Sequence, residues 1–192
     1  MDRESVPPAS CYFFYPHPVT VVGVLDPGRQ SVNFAPVVWA SPMSSDPPLF
    51  GVCLSPRTYS YELALKSGEF TLNFLDSSHM ALVQCLGKTS GRQVDKVQSL
   101  GLPVTPPEIL HTPSLAMAYA AAECQLRDRH PMGDQVLLVG EVHHLQVLPG
   151  AFDADGVLRL ERVSPLLYLG SGRYVTTERR TCTGAAVNTG SD

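Results

Sequence analysis

Residues 135–147 read QVLLVGEVHHLQV, a long run of strand-forming residues interrupted by Gly140. A glycine inside a strand marks a bulge or bend, so this segment is read as one long strand in a curving sheet. The segment AAAECQLR at 120–127 precedes it, and the turn stretch HPMGD at 130–134 joins the two as a hairpin.

Further strands lie upstream. VTVVGVL at 19–25 is β-branched and ends in the tight turn DPGR at 26–29. SVNFAPVVWA at 31–40 contains Pro36, which places it at an edge or lets it yield to irregular backbone. SPMSSDPP at 41–48 reads as a loop on composition, and LFGVCL at 49–54 as a strand buried on both faces. EFTLNFL at 69–75 alternates polar and apolar, the period of a half-buried strand. Helices are expected at 58–67 (stopped by Gly68), at 79–87 and at 92–100. DADG at 153–156 marks another turn. Many short strands with few short helices predict a mainly β barrel or sandwich. A βαβ rhythm is missing, which excludes a Rossmann-type nucleotide site.

Composition narrows the class. With 192 residues, 44% hydrophobic and 17% charged, the chain fits a single globular domain of ordinary size. Seventeen prolines and fifteen glycines favour short elements joined by turns. A net charge of -4 offers no basic footprint for nucleic acid. No apolar run approaches the roughly 20 residues of a membrane helix, and residues 1–10 lack the pattern of a signal peptide. A cytoplasmic protein is expected, with a flexible start at 1–10, a domain over 11–175 and a disordered tail at 176–192.

Five scattered cysteines (Cys11, Cys53, Cys85, Cys124, Cys182) argue against a disulfide framework or a zinc site, and Cys53 and Cys124 read as buried apolar residues. GKTS at 87–90 resembles the end of a P-loop, but Leu82 occupies the place of its first glycine. His143 and His144 are adjacent in a strand, point to opposite faces and cannot share a metal.

Three stretches carry chemistry together. Asn33 to Pro42 leads into SDPPL at 45–49 and offers extended backbone with small and aromatic side chains, suited to a flat ring. Ser55-Pro56-Arg57-Thr58-Tyr59-Ser60 opens a helix, and Thr89-Ser90-Gly91-Arg92 precedes Asp95 and Lys96. The last two combine hydroxyls, helix-start N–H groups and cations, which is what a phosphate monoester requires.

In this order, NFAPVVWASPMSSDPPLFGVCLSP, SGEFTLNFL, TSGRQVDK and MGDQVLLVGEV resemble the flavin reductase family with the FMN-binding split-barrel fold. The likeness spans about residues 12–174 and is strongest to short NAD(P)H:flavin oxidoreductases, including flavoredoxin-like members. It implies a mainly β Greek-key split barrel, a homodimer with FMN at the subunit interface, and hydride transfer from NADH or NADPH. It also implies a flavin-dependent monooxygenase as recipient of reduced flavin.

Carried onto this chain, the resemblance places Asn33, Val38, Trp39, Ala40 and Ser41 along the isoalloxazine and ribityl chain. Ser55, Pro56, Arg57 and Ser60 approach the phosphate or ribityl hydroxyls, joined by Ser90, Gly91, Arg92 and Lys96, while Asn73 faces the flavin from its strand. No catalytic acid or base and no metal are implied. Two positions depart from the family pattern. The arginine stands at Arg57, ahead of Thr58, Tyr59 and Ser60, and Gln135 occupies the place of a histidine that follows Gly-Asp in relatives. The alternative reading is a non-enzymatic FMN-carrying electron-transfer protein. A split barrel without flavin is a third.

Overall fold

A strand buried on both faces sets the architecture. In a computed structural model, which describes residues 5, 7, 8 and 16–178, β2 (Thr20–Asp26) carries Val22 and Val24 toward one core and Val21 toward another, each fully buried. Strand side chains alternate between faces, so one β-branched segment serves two packed layers. Removing a valine of this kind from water contributes about 1.5–3 kcal/mol.

The other strands of the main sheet are β3 (Ser31–Val37), β4 (Ala40–Ser45), β5 (Pro48–Leu54), β6 (Glu69–Phe74), β9 (Ala120–Met132) and β10 (Gln135–Val147). Their order is β3-β2-β6-β9-β10-β5-β4, antiparallel throughout. β3 and β4 stand at opposite edges, yet only Val38 and Trp39 separate them in the chain. The sheet must therefore curl until its edges meet, and the Cys53 N–H donates to the Trp39 carbonyl at 2.8 Å, which carries the β4–β5 ladder up to that two-residue connection. This is a split barrel.

Inside the barrel pack Val22, Val52, Leu54, Phe70, Leu72 and Leu138, with Leu63 and Ala64 of α1 (Tyr59–Ser67) added to the same cluster. On the other face of β2, β3 and β6, Val21, Phe34 and Leu75 pack under Val83 and Leu86 of α2 (Met80–Lys88). α3 (Lys96–Leu100) lies against β3. Two short ladders complete the described residues: β1 (His17–Pro18) with β11 (Leu166–Gly170) and β12 (Arg173–Thr176), and β7 (Val104–Thr105) with β8 (Ser114–Leu115).

Several sequence expectations hold. Thr58 caps α1 by accepting from the Tyr61 N–H at 3.4 Å, and Gly68 stops it with φ 71°. The β9–β10 hairpin shifts register between Val139 and Gly140, where a Cβ on Gly140 would overlap the Phe70 ring. Glycine at the bend lets the aromatic ring close against the backbone.

Others are corrected. Residues 41–48 are not a loop, because Ala40–Ser45 pairs with β5 as an exposed edge strand whose position tolerates Pro42. β6 is buried on both faces rather than half-buried, since residues 111–115, including β8, lie over the second face and bond to Glu69, Thr71 and Asn73. On β5 one face opens instead: Cys53 is half-buried, not core. Of the helix expected at 92–100 only Lys96–Leu100 forms, capped by the Asp95 carboxylate on the Gln98 N–H at 3.1 Å. Thr176 belongs to β12 and not to a tail; residues 179–192 and seven of residues 1–10 lie outside the described residues.

Candidate functional site

The barrel seam is lined by three adjoining clefts that together form one groove. The first, about 340 Å³, lies between the start of α1 and the turn after α2, bordered by Asn33, Arg57, Ser60, Lys88, Ser90 and Arg92, with Thr58, Thr89, Gly91 and Lys96. The second, about 300 Å³, shares Pro36 and Thr58 with it and runs past Val38, Trp39, Cys53, Ser55 and Gln135. The third, about 220 Å³, shares Val38, Trp39 and Cys53 with the second and ends at His17, Ala40, Ser41, Met43 and Leu137. The groove thus grades from cations and hydroxyls to an aromatic and apolar end.

Twelve of the fourteen residues singled out in the sequence border this groove: Asn33, Val38, Trp39, Ala40, Ser41, Ser55, Arg57, Ser60, Ser90, Gly91, Arg92 and Lys96. Pro56 is exposed and does not line it. Asn73 is corrected outright. It is 0% exposed, donates to the Val21 carbonyl at 2.9 Å and to Thr71 Oγ1 at 3.2 Å, and accepts from the Leu115 N–H at 2.7 Å. Its side chain lies on the face of β6 that residues 113–115 cover, and it serves the core.

Lys96 also differs from a simple phosphate ligand. It is 3% exposed, and its ammonium donates to the carbonyls of Phe34 at 2.7 Å and Leu86 at 2.8 Å. Burial pushes its pKa down to about 8, with Cys85 acting weakly the other way. It borders the cleft with two of its three donors committed to backbone.

Arg92 stands at the mouth of the first cleft. Its Nη1 lies 2.6 Å from Glu62 Oε2, and its guanidinium sits 5.1 Å from the centroid of the Tyr59 ring. Lys66 and Arg92 bind Glu62 and lower its pKa. Among the described residues Arg57 and Lys88 form no ion pair, so two cations at this end are uncommitted. Lys88 is not among the phosphate cations that the sequence pointed to, because it ends a helix one position before the hydroxyl-bearing turn. Tertiary packing brings the end of α2 to the start of α1.

The pivot is Asn33. It is 6% exposed, and its Nδ2 donates to Ser60 Oγ at 2.9 Å. Its Oδ1 is buried with no hydrogen-bond donor. A buried unpaired acceptor costs about 1–3 kcal/mol, which a ligand hydroxyl in the cleft would relieve. Gly91 lies directly beside it: a Cβ there would overlap Asn33 Oδ1 and lie 3.0 Å from the Tyr59 ring. The donor set therefore fits FMN, with cations and hydroxyls for a phosphate, a buried acceptor for a sugar alcohol, and Trp39 beside an apolar slot for a ring.

Comparisons with known proteins give the chain its relatives. The chain is similar to a crystal structure of an FMN-binding protein from Thermus thermophilus with bound 1-cyclohex-2-enone, at 36% identity, TM-score 0.83, and coverage of 96% of this chain and 99% of that one. It is similar to flavoredoxin from Methanosarcina acetivorans at 26% identity and TM-score 0.82, covering 98% of each chain. An uncharacterised protein from Aeropyrum pernix is 32% identical over 158 residues, 82% of this chain; the match spans 59% of that relative's length. The model of the flavin reductase like domain matches residues 12–178. With nearly all its described residues inside that match, the chain belongs to the flavin reductase like domain family.

Proposed function

We propose that the groove binds FMN, with its phosphate among Arg57, Lys88, Ser90 and Arg92 and its ring beside Trp39, and that the chain is an NAD(P)H-dependent flavin reductase. The observation that carries this reading is the single groove running from uncommitted cations to Trp39, with the unpaired Asn33 Oδ1 between them. The likeness to the Thermus thermophilus FMN-binding protein supports it.

When bound, FMN supplies a ring able to accept hydride from a reduced nicotinamide. The chain's own residues bind and orient. Arg57 and Lys88 offer charge-assisted donors to a phosphate, and the N-terminal turn of α1 adds favourable backbone dipoles. Asn33 Oδ1 accepts from a ribityl hydroxyl and Ser60 fixes the amide that presents it. Trp39, Met43 and Leu137 offer apolar surface to the ring at that end. Gln135 borders the middle cleft with an amide that can both donate to and accept from a nicotinamide carboxamide. A homodimer and a flavin-dependent monooxygenase as acceptor complete the proposal, on the strength of the family resemblance.

The test is an absorbance spectrum of the purified protein with FMN, before and after anaerobic NADH or NADPH. Bleaching of the flavin bands by either nucleotide, with turnover of added free flavin, is the expected result. Flavin that stays oxidised with both nucleotides yet reduces chemically would make the chain an electron carrier of the flavoredoxin kind. Failure to retain any FMN would overturn the site itself.

A further inference from the structure

The turn Asp26–Arg29 reads in the sequence only as the link between β2 and β3. It lies outside the groove, yet Arg29 reaches 62 and 63 residues along the chain to the turn that carries Arg92. Arg29 Nη1 donates to the Gly91 carbonyl, and its Nη2 donates to the Arg92 carbonyl at 2.6 Å. Asp26, 4% exposed, accepts from the Tyr59 hydroxyl at 2.7 Å and lies 3.9 Å from Arg29 Nε. The Tyr59 ring in turn lies under the Arg92 guanidinium.

These contacts close a circuit: Asp26 to Arg29, Arg29 to the backbone of 91–92, Arg92 to Tyr59, and Tyr59 back to Asp26. Within the turn itself, the Ser90 carbonyl accepts the Gln93 N–H at 3.1 Å, so the segment that Arg29 grips is a closed turn. Gly91 leaves no slack, since it is in contact with Asn33 and Tyr59. A guanidinium can bridge two successive carbonyls because its donors form a rigid planar fork; an ammonium cannot reproduce that geometry.

We infer that Asp26 and Arg29 are positioning residues for phosphate recognition: they hold the Ser90–Arg92 turn and the Arg92 side chain in place to receive the FMN phosphate without touching it. This rests on the FMN reading above. Preorganised donors bind without the cost of ordering a loop, so loosening the clamp weakens the phosphate end selectively. The ribityl and ring contacts remain.

The experiment is a fluorescence-quenching titration of FMN and riboflavin against wild type, Arg29→Ala, Arg29→Lys and Tyr59→Phe, with thermal melts of each. Wild type is expected to prefer FMN. Arg29→Ala should reduce the FMN-over-riboflavin ratio roughly tenfold, a change worth about 1.4 kcal/mol, with riboflavin affinity nearly unmoved. Arg29→Lys should lose most of the same ratio, because it keeps the charge and loses the fork. Tyr59→Phe, which keeps the ring beneath Arg92 and cuts the tie to Asp26, should fall between. An unchanged ratio in Arg29→Ala, or full retention in Arg29→Lys, overturns the positioning role. A wild type that binds both flavins equally would overturn the phosphate placement instead, so the two failures are distinguishable.

Discussion

The Lys96 ammonium donates to the Phe34 carbonyl at 2.7 Å, tying the first turn of α3 to the middle of β3 beneath the groove. A second bond to Leu86 at 2.8 Å joins α2 to the same point. Burial disfavours its charged form and lowers the pKa from 10.5 to about 8. Between pH 8 and 10.5 the unfolded chain then holds a proton that the folded chain has released, so stability rises with pH across that window. Melting temperatures of wild type and Lys96→Met, compared from pH 6 to 10.5, should differ by a constant below pH 8. Above it wild type should gain. A constant difference throughout would refute the buried-ammonium account.

Gly91 is the narrowest point of the site. Gly91→Ala forces a methyl group into Asn33 Oδ1 and the Tyr59 ring, and overpacking of this sort costs about 1–3 kcal/mol. Either the protein melts lower or the 90–93 turn shifts, and FMN affinity falls in both cases. Unchanged melting together with unchanged FMN binding would show that the turn has room to spare.

Arg92 already has Glu62 and Tyr59 as neighbours, so its worth to a phosphate is a difference and not a full ion pair. A charge-assisted hydrogen bond contributes about 1.5–3 kcal/mol, which makes Arg92→Ala cost FMN binding roughly ten- to a hundredfold. Riboflavin, lacking the phosphate, should change far less. Titrating both flavins decides it, and equal losses would place the phosphate elsewhere.

Asn73 provides the contrast. Asn73→Leu removes an amide that satisfies Val21, Thr71 and the Leu115 N–H, leaving buried groups that cost about 1–3 kcal/mol each. Urea unfolding should show a marked loss of stability. The FMN-over-riboflavin ratio of the folded protein should stay put. A moved ratio with intact stability would return Asn73 to the flavin.

Glu123 anchors a loop on the same strands. Burial raises its pKa, but N–H donations from Glu108 at 2.7 Å, Ile109 at 3.0 Å and Leu110 at 2.7 Å outweigh that and hold it below the usual carboxylate range. A carboxyl depressed in the folded state stabilises fully above its unfolded pKa, near 4.5, and stops doing so as pH falls through the folded value. Glu123→Gln should therefore be less stable than wild type at pH 7, with the gap narrowing below pH 4.5. Amide exchange at 108–110 should also speed up in the variant. A pH-independent gap would mean the loop does not depend on the carboxylate charge.

Local chemistry made much of this protein readable in the sequence. The β-branched run at 19–25, the helix stop at Gly68 and the bend at Gly140 depend on residues adjacent in the chain, and each appears where it was expected. The cationic turn at 89–92 and the small and aromatic residues around Trp39 are local too, and both border the groove. What the sequence could not determine is which face of a strand looks where. EFTLNFL alternates as a half-buried strand does, but the distant segment 111–115 covers its second face, so Asn73 ends in the core rather than at the flavin. Ser41 to Ser45 have loop composition and still pair, because an edge strand needs only backbone donors and acceptors on one side. The Arg29 clamp spans 62 and 63 residues to its two carbonyls, and the Lys96 bond to Phe34 likewise spans 62. Contacts of that separation leave no periodicity along the chain. Only the packing of α2 and α3 on β3 brings their partners together.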